Sequence, residues 1–498
     1  MERVLRWAMP VVQAAVSAAL MFILITSGIL PGKYLGIAAA VVAVALLITV
    51  LFACAKNGAV RTIGNVLAIF VCGMLVFGMV YLNQIIKTLN SVAGSNTEVK
   101  IVAVTVKADN AAAGIEETQG YRFGVYEGSD GEQIAEMIEE VKNANANADP
   151  ELANSDLNTE IYTSPLEMAQ ALLDGKIDAA ICNKAYTEIL GEVITDFATD
   201  SRIIYEKEFE IATADRIGGP GGSGEPGDAE AATTASKKRT SLTEEPYTIL
   251  ISGIDVSGPI STTSRSDVNI LMTVNPQTQE ILLTTTPRDY YVYIPGISGD
   301  ERDKLTHAGI YGVKTSMRTL EELYGIEISD FIRINFDSLI RLVDALGGVD
   351  VYSEYEFKSG DHYFDKGTNH LNGEEALAFS RSRYSFATGD EQRGKNQMLV
   401  LTAIINKLMS PALLKNPSGV LDVVGSSMQT SIGSSEIADA IAWQLDTGAD
   451  WDISRQSVTG TGDSAQTFSM KGTDLYVMWP DEDSVSEAAE KIREVMEE

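Results

Sequence analysis

Cysteine is nearly missing from these 498 residues: Cys54 and Cys72 fall inside apolar runs and Cys182 stands alone after them. The polar part of the chain therefore has no second thiol with which to close a disulfide. No Ser-His-Asp or Cys-His spacing for nucleophilic catalysis is visible either. Positive charge is scarce. With 38 lysines and arginines against 69 aspartates and glutamates, a net charge of -31 and a pI near 4.5, the chain lacks the spread of basic residues that a general nucleic-acid surface needs. A phosphate ligand has to be held locally, by a few arginines. Bulky apolar residues are almost absent between 216 and 245, where GGPGGSGEPGDAEAATTASKKRTS reads as a flexible linker and a domain boundary.

What is present begins with three apolar runs, Ala8 to Leu30, Tyr34 to Ala55 and Ile63 to Ile86. Each is long enough to cross a hydrocarbon core, which takes about 20 helical residues. No acidic residue sits within them, and their glycines suit helix packing, so residues 1–90 read as a three-helix anchor rather than a transport path. Arg3 and Arg6 precede the first run, while Lys56 and Arg61 lie between the second and third. The positive-inside rule then puts the amino terminus in the cytoplasm and everything after the third helix outside, in a multi-pass protein of the cell membrane.

Residues 98–215 change to short alternations of strand and helix: Tyr121 to Tyr126 and Ile177 to Cys182 read as strands, Glu132 to Asn143 and Pro165 to Leu173 as helices. That βαβ rhythm predicts a small parallel sheet. The phrase SPLEMAQALLDGKIDAAICN (Ser164 to Asn183) resembles half of a bacterial solute-binding protein, with only one lobe's worth of chain; a packing or spacer role is the simpler expectation.

Residues 246–498 carry the chemistry. Tyr247 to Ile254 reads as a buried strand that delivers Asp255 at its end, and Val268 to Val274 with Glu280 to Thr286 reads as a hairpin. The hairpin's outer ends lie side by side, so Asp267 and Arg288 are predicted neighbours. Asp255 and Asp267 suit magnesium, which takes one or two carboxylates and fills its shell with water and phosphate; the alternative is that Asp267 pairs with Arg265 and Asp255 caps a turn. A helix is expected from His307 to Tyr324, with Lys304 before it as an anion contact and His307 in a structural role. Asp337 is expected to cap a helix ending at Gly347-Gly348. Asn372 and Glu375 have capping-box spacing for a helix that leads into Arg381 and Arg383. Those two arginines share a side if the run is extended and diverge if it is helical. Arg393, Lys395 and Gln397 open a long helix, with Asp390 at its start as cap, arginine partner or proton acceptor.

The order RSD, PRD, DK..HA, DALGGVDV, LNGEEAL..SRSR and D..R...Q resembles the LytR-CpsA-Psr (LCP) family of cell-wall glycopolymer transferases, from Tyr247 to the carboxyl terminus. The resemblance implies an α/β fold overall: three transmembrane helices, a small α/β accessory domain and an LCP-like domain with a mixed central sheet. It implies magnesium on Asp255 and Asp267, and a polyprenyl-pyrophosphate lipid with its head at Arg265, Arg288, Arg381, Arg383 and Arg393. Asp390 and Gln397 match polar residues supporting that group. Two departures stand out: Val256-Ser257-Gly258, where many members have an arginine, and Lys395, where arginine is common. The implied activity is a magnesium-dependent phosphotransfer that moves a glycopolymer phosphate from an undecaprenyl-pyrophosphate carrier to a peptidoglycan hydroxyl. Preorganised positive charge around the phosphate oxygens supplies the catalysis. Two other functions fit the same residues, a polyprenyl-pyrophosphate phosphatase and a non-enzymatic membrane-bound regulator of envelope or transcription.

Overall fold

The computed structural model describes residues 2–93, 97–152, 156–212, 241–254, 259–383, 385–386, 389–410, 420, 423 and 428–497. Asp255, the following Val256-Ser257-Gly258 and residues 216–240 of the expected linker lie outside them, as does the side chain of Asp390.

Helices α1 (Glu2–Ser27), α2 (Gly32–Cys54) and α3 (Gly58–Val92) pack on one another, and all three are long and apolar enough to cross a membrane. Lys33, in the first turn of α2, reaches back to the rest of the protein, pairing with Asp446 at 3.1 Å.

The next unit comprises β1 (Thr97–Lys107), β2 (Arg122–Val125), α4 (Gly131–Ala148), β3 (Asn158–Ile161), α5 (Pro165–Leu173), β4 (Ala179–Asn183), α6 (Ala185–Val193), α7 (Phe197–Asp200) and β5 (Ser201–Ala212). Its sheet runs β3-β2-β4-β1-β5. The expected parallel pairing holds for β2 with β3 and with β4, but β1 lies antiparallel to both β4 and β5. The sheet is therefore mixed. The βαβ rhythm foretold the three strands joined by helices, whereas β1 and β5 pair across the whole length of the unit, a relationship with no local signature.

This unit is welded to the carboxyl-terminal one. Val99 donates to Ser261 O and accepts from Thr263 N, both at 2.8 Å. Glu98 is buried against Arg333, and its Oε1 also accepts from Val313 N at 3.0 Å. Ile310 and Met470 join the apolar cluster formed by Leu166, Leu172 and Tyr186.

The carboxyl-terminal unit is built on a six-stranded sheet in the order β16 (Met428–Thr430), β11 (Asp330–Asn335), β6 (Tyr247–Ile254), β7 (Ser266–Asn275), β8 (Glu280–Thr285) and β17 (Asp452–Ser457). Its first strands are β6 (Tyr247–Ile254), β7 (Ser266–Asn275) and β8 (Glu280–Thr285), with the expected antiparallel hairpin between the last two. A small ribbon comes next, β9 (Tyr291–Tyr293) with β10 (Arg302–Lys304), then α8 (Leu305–Ala308) and α9 (Val313–Tyr324). The single helix expected from His307 is broken, because Gly312 takes φ of 110°, a conformation closed to other residues. β11 (Asp330–Asn335) runs parallel to β6 and leads into α10 (Phe336–Ala345). The cap of α10 is Asn335, whose side-chain oxygen accepts from Ser338 N at 2.8 Å, and not the expected Asp337, which lies inside the first turn of the helix.

Four short strands, β12 (Val349–Ser353), β13 (Phe357–Ser359), β14 (His362–Phe364) and β15 (Gly367–Leu371), precede α11 (Gly373–Arg381) and α12 (Asp390–Met409). The Asn372/Glu375 capping box is formed as expected. β16 (Met428–Thr430), α13 (Ser434–Thr447), β17 (Asp452–Ser457), the hairpin β18 (Gly460–Thr467) with β19 (Met470–Pro480), and α14 (Glu482–Glu497) complete the unit. Alternation along the strands splits the core. Leu250, Leu271, Leu282 and Phe331 meet α9 and α14, while Ile251, Ile270, Ile281 and Leu283 meet α12.

Candidate active site

Along β6 and β7, Gly253 pairs with Val268 but Ile254 pairs with Ser266, so Asp267 is the extra residue of a β-bulge. Such a bulge re-aims a side chain out of the strand's alternation. A Cβ on Gly253 would fall 2.7 Å from Val268, so glycine permits the close approach here. Asp267 Oδ1 accepts from Arg288 Nη1 at 2.9 Å, as the hairpin geometry predicts, and from Thr306 Oγ1 at 3.2 Å. Thr306 was not singled out in the sequence; Thr306 N donates to Arg288 O, which brings α8 to the hairpin's end.

Below Arg288 the charges alternate. Arg288 Nε lies 3.6 Å from Asp289 Oδ2, and Asp289 Oδ1 accepts from Lys304 Nζ at 2.9 Å. Burial opposes the charge of Arg288, but Asp267 and then Asp289 pull its pKa well above the ordinary arginine value, so it stays cationic. Burial would likewise raise the Asp289 carboxyl; Lys304 and then Arg288 outweigh it and hold the group below the usual range. Lys304 is thus placed beneath the arginine as its counter-ion's partner. His307 is buried with Asp303 at 2.6 Å and Ser469 at 2.8 Å, in the structural role expected of it.

A shallow cleft opens over these groups, lined by Asp267, Thr286, Arg288, Glu391, Arg393, Gly394 and Gln397 among others. The first turns of α12 form one wall. Gly394 lets that helix settle on β8, since a Cβ there would sit 3.1 Å from Thr285. Lys395 pairs with the cleft-lining Glu391 at 2.7 Å, both side chains being partly exposed. Arg381 is the last residue of α11 and its guanidinium lies 4.5 Å above the Phe336 ring; the chain then turns extended at Ser382. Arg383 Cγ approaches Gly389, at the start of α12. Arg265 faces the preceding unit, with Glu192 at 2.5 Å and Glu188 at 3.5 Å on α6.

A second cleft is apolar and lies between the sheet and helices α10, α11 and α12. Ile251, Ile270, Ile334, Phe336, Leu339, Leu401 and Ile404 line it, and Gln397 lines both clefts. Arg381, over Phe336, stands at its edge.

Among the described residues no three His, Cys, Asp or Glu side chains converge on a metal position. Magnesium needs fewer: Asp267 Oδ2 is outside both hydrogen bonds of its carboxylate, and Asp255, the next residue in sequence after β6, lies outside the described residues. The donor chemistry fits that ion.

Residues 223–491 match the LytR_cpsA_psr family. A Bacillus cereus protein named polyisoprenyl-teichoic acid–peptidoglycan teichoic acid transferase TagU is 36% identical over 196 residues, 39% of this chain and 63% of that protein. A protein of the same name from Oceanobacillus iheyensis is 32% identical over 224 residues, 43% of this chain and 68% of that one. The chain thus spans about two thirds, and in the first case less, of the length of these relatives. The crystal structure of B. subtilis TagV is 26% identical, covering 51% of this chain and 98% of that chain with a TM-score of 0.44.

Proposed function

This chain belongs to the LytR_cpsA_psr family, and from that premise we propose that it transfers a glycopolymer, with its linking phosphate, from a polyprenyl-pyrophosphate carrier to a peptidoglycan hydroxyl. The observation that carries this is the junction at Gln397, where an arginine-lined cleft meets an apolar one. An anionic head on a long hydrocarbon tail is the ligand class that such a pair of clefts accommodates. The named activity of the TagU relatives supports the reading.

In the proposed reaction the acceptor hydroxyl attacks the sugar-side phosphorus. A new P–O bond forms, the bond to the lipid-side phosphate breaks, and the hydroxyl proton leaves to a base, for which Asp390 is the candidate. Arg288 and Arg393 from the cleft walls, with Arg381 from the end of α11 and Arg383 just beyond it, stabilise the charge growing on the oxygens. Gln397 orients the head group where the two clefts meet. Asp255 and Asp267 would hold magnesium, which neutralises pyrophosphate oxygens when bound. Lys304 acts from below by fixing Asp289 against Arg288.

In this reading the enzyme sits at the outer face of the cell membrane. Lys33, in the first turn of α2, contacts the same body that comes after α3, whereas Lys56 and Arg61 lie at the other end of the bundle, which agrees with the positive-inside rule. The test is incubation of the detergent-solubilised full chain with a polyprenyl-pyrophosphate-linked saccharide, magnesium and peptidoglycan. Saccharide joined to the wall fragment is the expected product; release of phosphate with no such joining would make the protein a phosphatase instead.

A further inference from the structure

Arg265 lies two residues before Asp267, which lines the charged cleft, and its ion-pair partners come from another unit. Its guanidinium is mostly buried, with 12% of the side chain exposed, and it faces Glu192 and Glu188, one helical turn apart on α6 and 46% and 41% exposed. Arg265 Nε is buried and donates no hydrogen bond, so the fork is only partly satisfied by the two carboxylates. Asp267, two residues on and in the wall of the charged cleft, is the other acid that acts on Arg265.

The contact is not a chance encounter of two bodies on a tether. The buried Glu98–Arg333 pair, the Val99 hydrogen bonds on either side of Thr262 and the shared apolar cluster around Ile310 fix the accessory unit against the sheet that carries Arg265. At the same time the two glutamates are themselves half in solvent. Ion pairs of that kind are weak and exchangeable. A pyrophosphate brings more charge than a carboxylate and offers paired oxygens to a planar fork.

We propose that Glu188 and Glu192 of the accessory domain are positioning residues of the pyrophosphate site, holding Arg265 in place while the site is empty and competing with phosphate oxygens for it. The inference rests on the charged cleft being the pyrophosphate site. It gives the accessory domain a part in the chemistry: the arginine is kept ordered and charged between turnovers, and the carboxylates retake it as the lower-charged monophosphate product departs.

The probes are inorganic pyrophosphate, geranylgeranyl diphosphate and geranylgeranyl monophosphate, titrated with magnesium against the detergent-solubilised full chain by calorimetry. Glu188→Gln with Glu192→Gln removes the competing charge and keeps the side-chain shape; both positions are exposed enough for the fold to tolerate it. The double variant is expected to bind all three probes about two- to tenfold more tightly. In an Arg265→Ala background the same two substitutions are expected to lose most of that gain, which a general loss of negative charge would not reproduce. Unchanged or weaker binding in the double variant, or a gain that persists without Arg265, overturns the proposal. Failure of the unsubstituted chain to bind either pyrophosphate probe would instead sink the assignment of the cleft.

Discussion

Arg288 Nη1 donates to Asp267 Oδ1 at 2.9 Å, joining the outer ends of a hairpin across a bulge that turns the aspartate out of its strand. The arginine touches the proposed metal acid with one nitrogen and leaves Nε buried and without an acceptor.

Substitution of Arg288 therefore separates charge from geometry. Arg288→Lys keeps a cation beside Asp267 but loses the planar fork, and kcat/KM for saccharide transfer is expected to fall about 10²- to 10³-fold, as for removal of one preorganised donor. Arg288→Ala is expected to fall at least as far. Steady-state transfer assays, with melting temperature as the control for folding, would show an intact, folded and fully active Arg288→Lys protein if the assignment is wrong.

Much of this site can be read in the sequence because hairpin pairing is local. The turn at Asn275 to Thr278 sets the register, and register puts Asp267 beside Arg288. The capping box at Asn372 and Glu375 fixes the start of α11 in the same way. What could not be read is non-local or turns on a single residue. Gly312 breaks the helix expected from His307, Asn335 displaces Asp337 as a cap, and β1 crosses to pair with β4 and β5. The pairing of Arg265 with Glu188 and Glu192 joins residues far apart in the chain, and the apolar cleft is assembled from several separate elements. No short motif encodes either.

Acid should weaken the layer beneath the site. The Asp289 carboxyl has a lower pKa folded than unfolded, owing to Lys304 and Arg288. Its contribution to stability is thus complete above the ordinary aspartate value of about 3.9 and is lost as pH falls from there through the folded value. Asp289→Asn removes the contribution at neutral pH and flattens that part of the acid limb. Melting temperatures of the two proteins between about pH 5 and pH 2 should converge toward the acid end; parallel curves would exclude Asp289 as the titrating group.

The seam between the accessory unit and the catalytic sheet can be tested at Glu98. Both side chains of its pair with Arg333 are nearly inaccessible, 3% and 2% exposed. Glu98→Ala leaves a buried guanidinium without its partner and removes the acceptor for Val313 N, a change expected to cost about 3–5 kcal/mol. Chemical unfolding of the full chain reads the loss. Glu98→Gln, which keeps the acceptor, should retain part of the stability, and an Ala variant within about 0.5 kcal/mol of the parent would show that solvent reaches the pair.

The two clefts make separable demands on a ligand, and Leu401 lies in the apolar one alone. Leu401→Trp adds bulk where a hydrocarbon tail would lie, while Arg288, Arg393 and Asp267 stay untouched. Overpacking of this kind costs about 1–3 kcal/mol when it has to be relieved, so affinity for geranylgeranyl diphosphate is expected to drop about tenfold. Inorganic pyrophosphate, which needs only the charged cleft, should bind as before. Calorimetry with both probes decides the point: equal losses would mean that the helix had shifted as a whole, and no loss for the prenyl compound would mean that its tail leaves the charged cleft by another path.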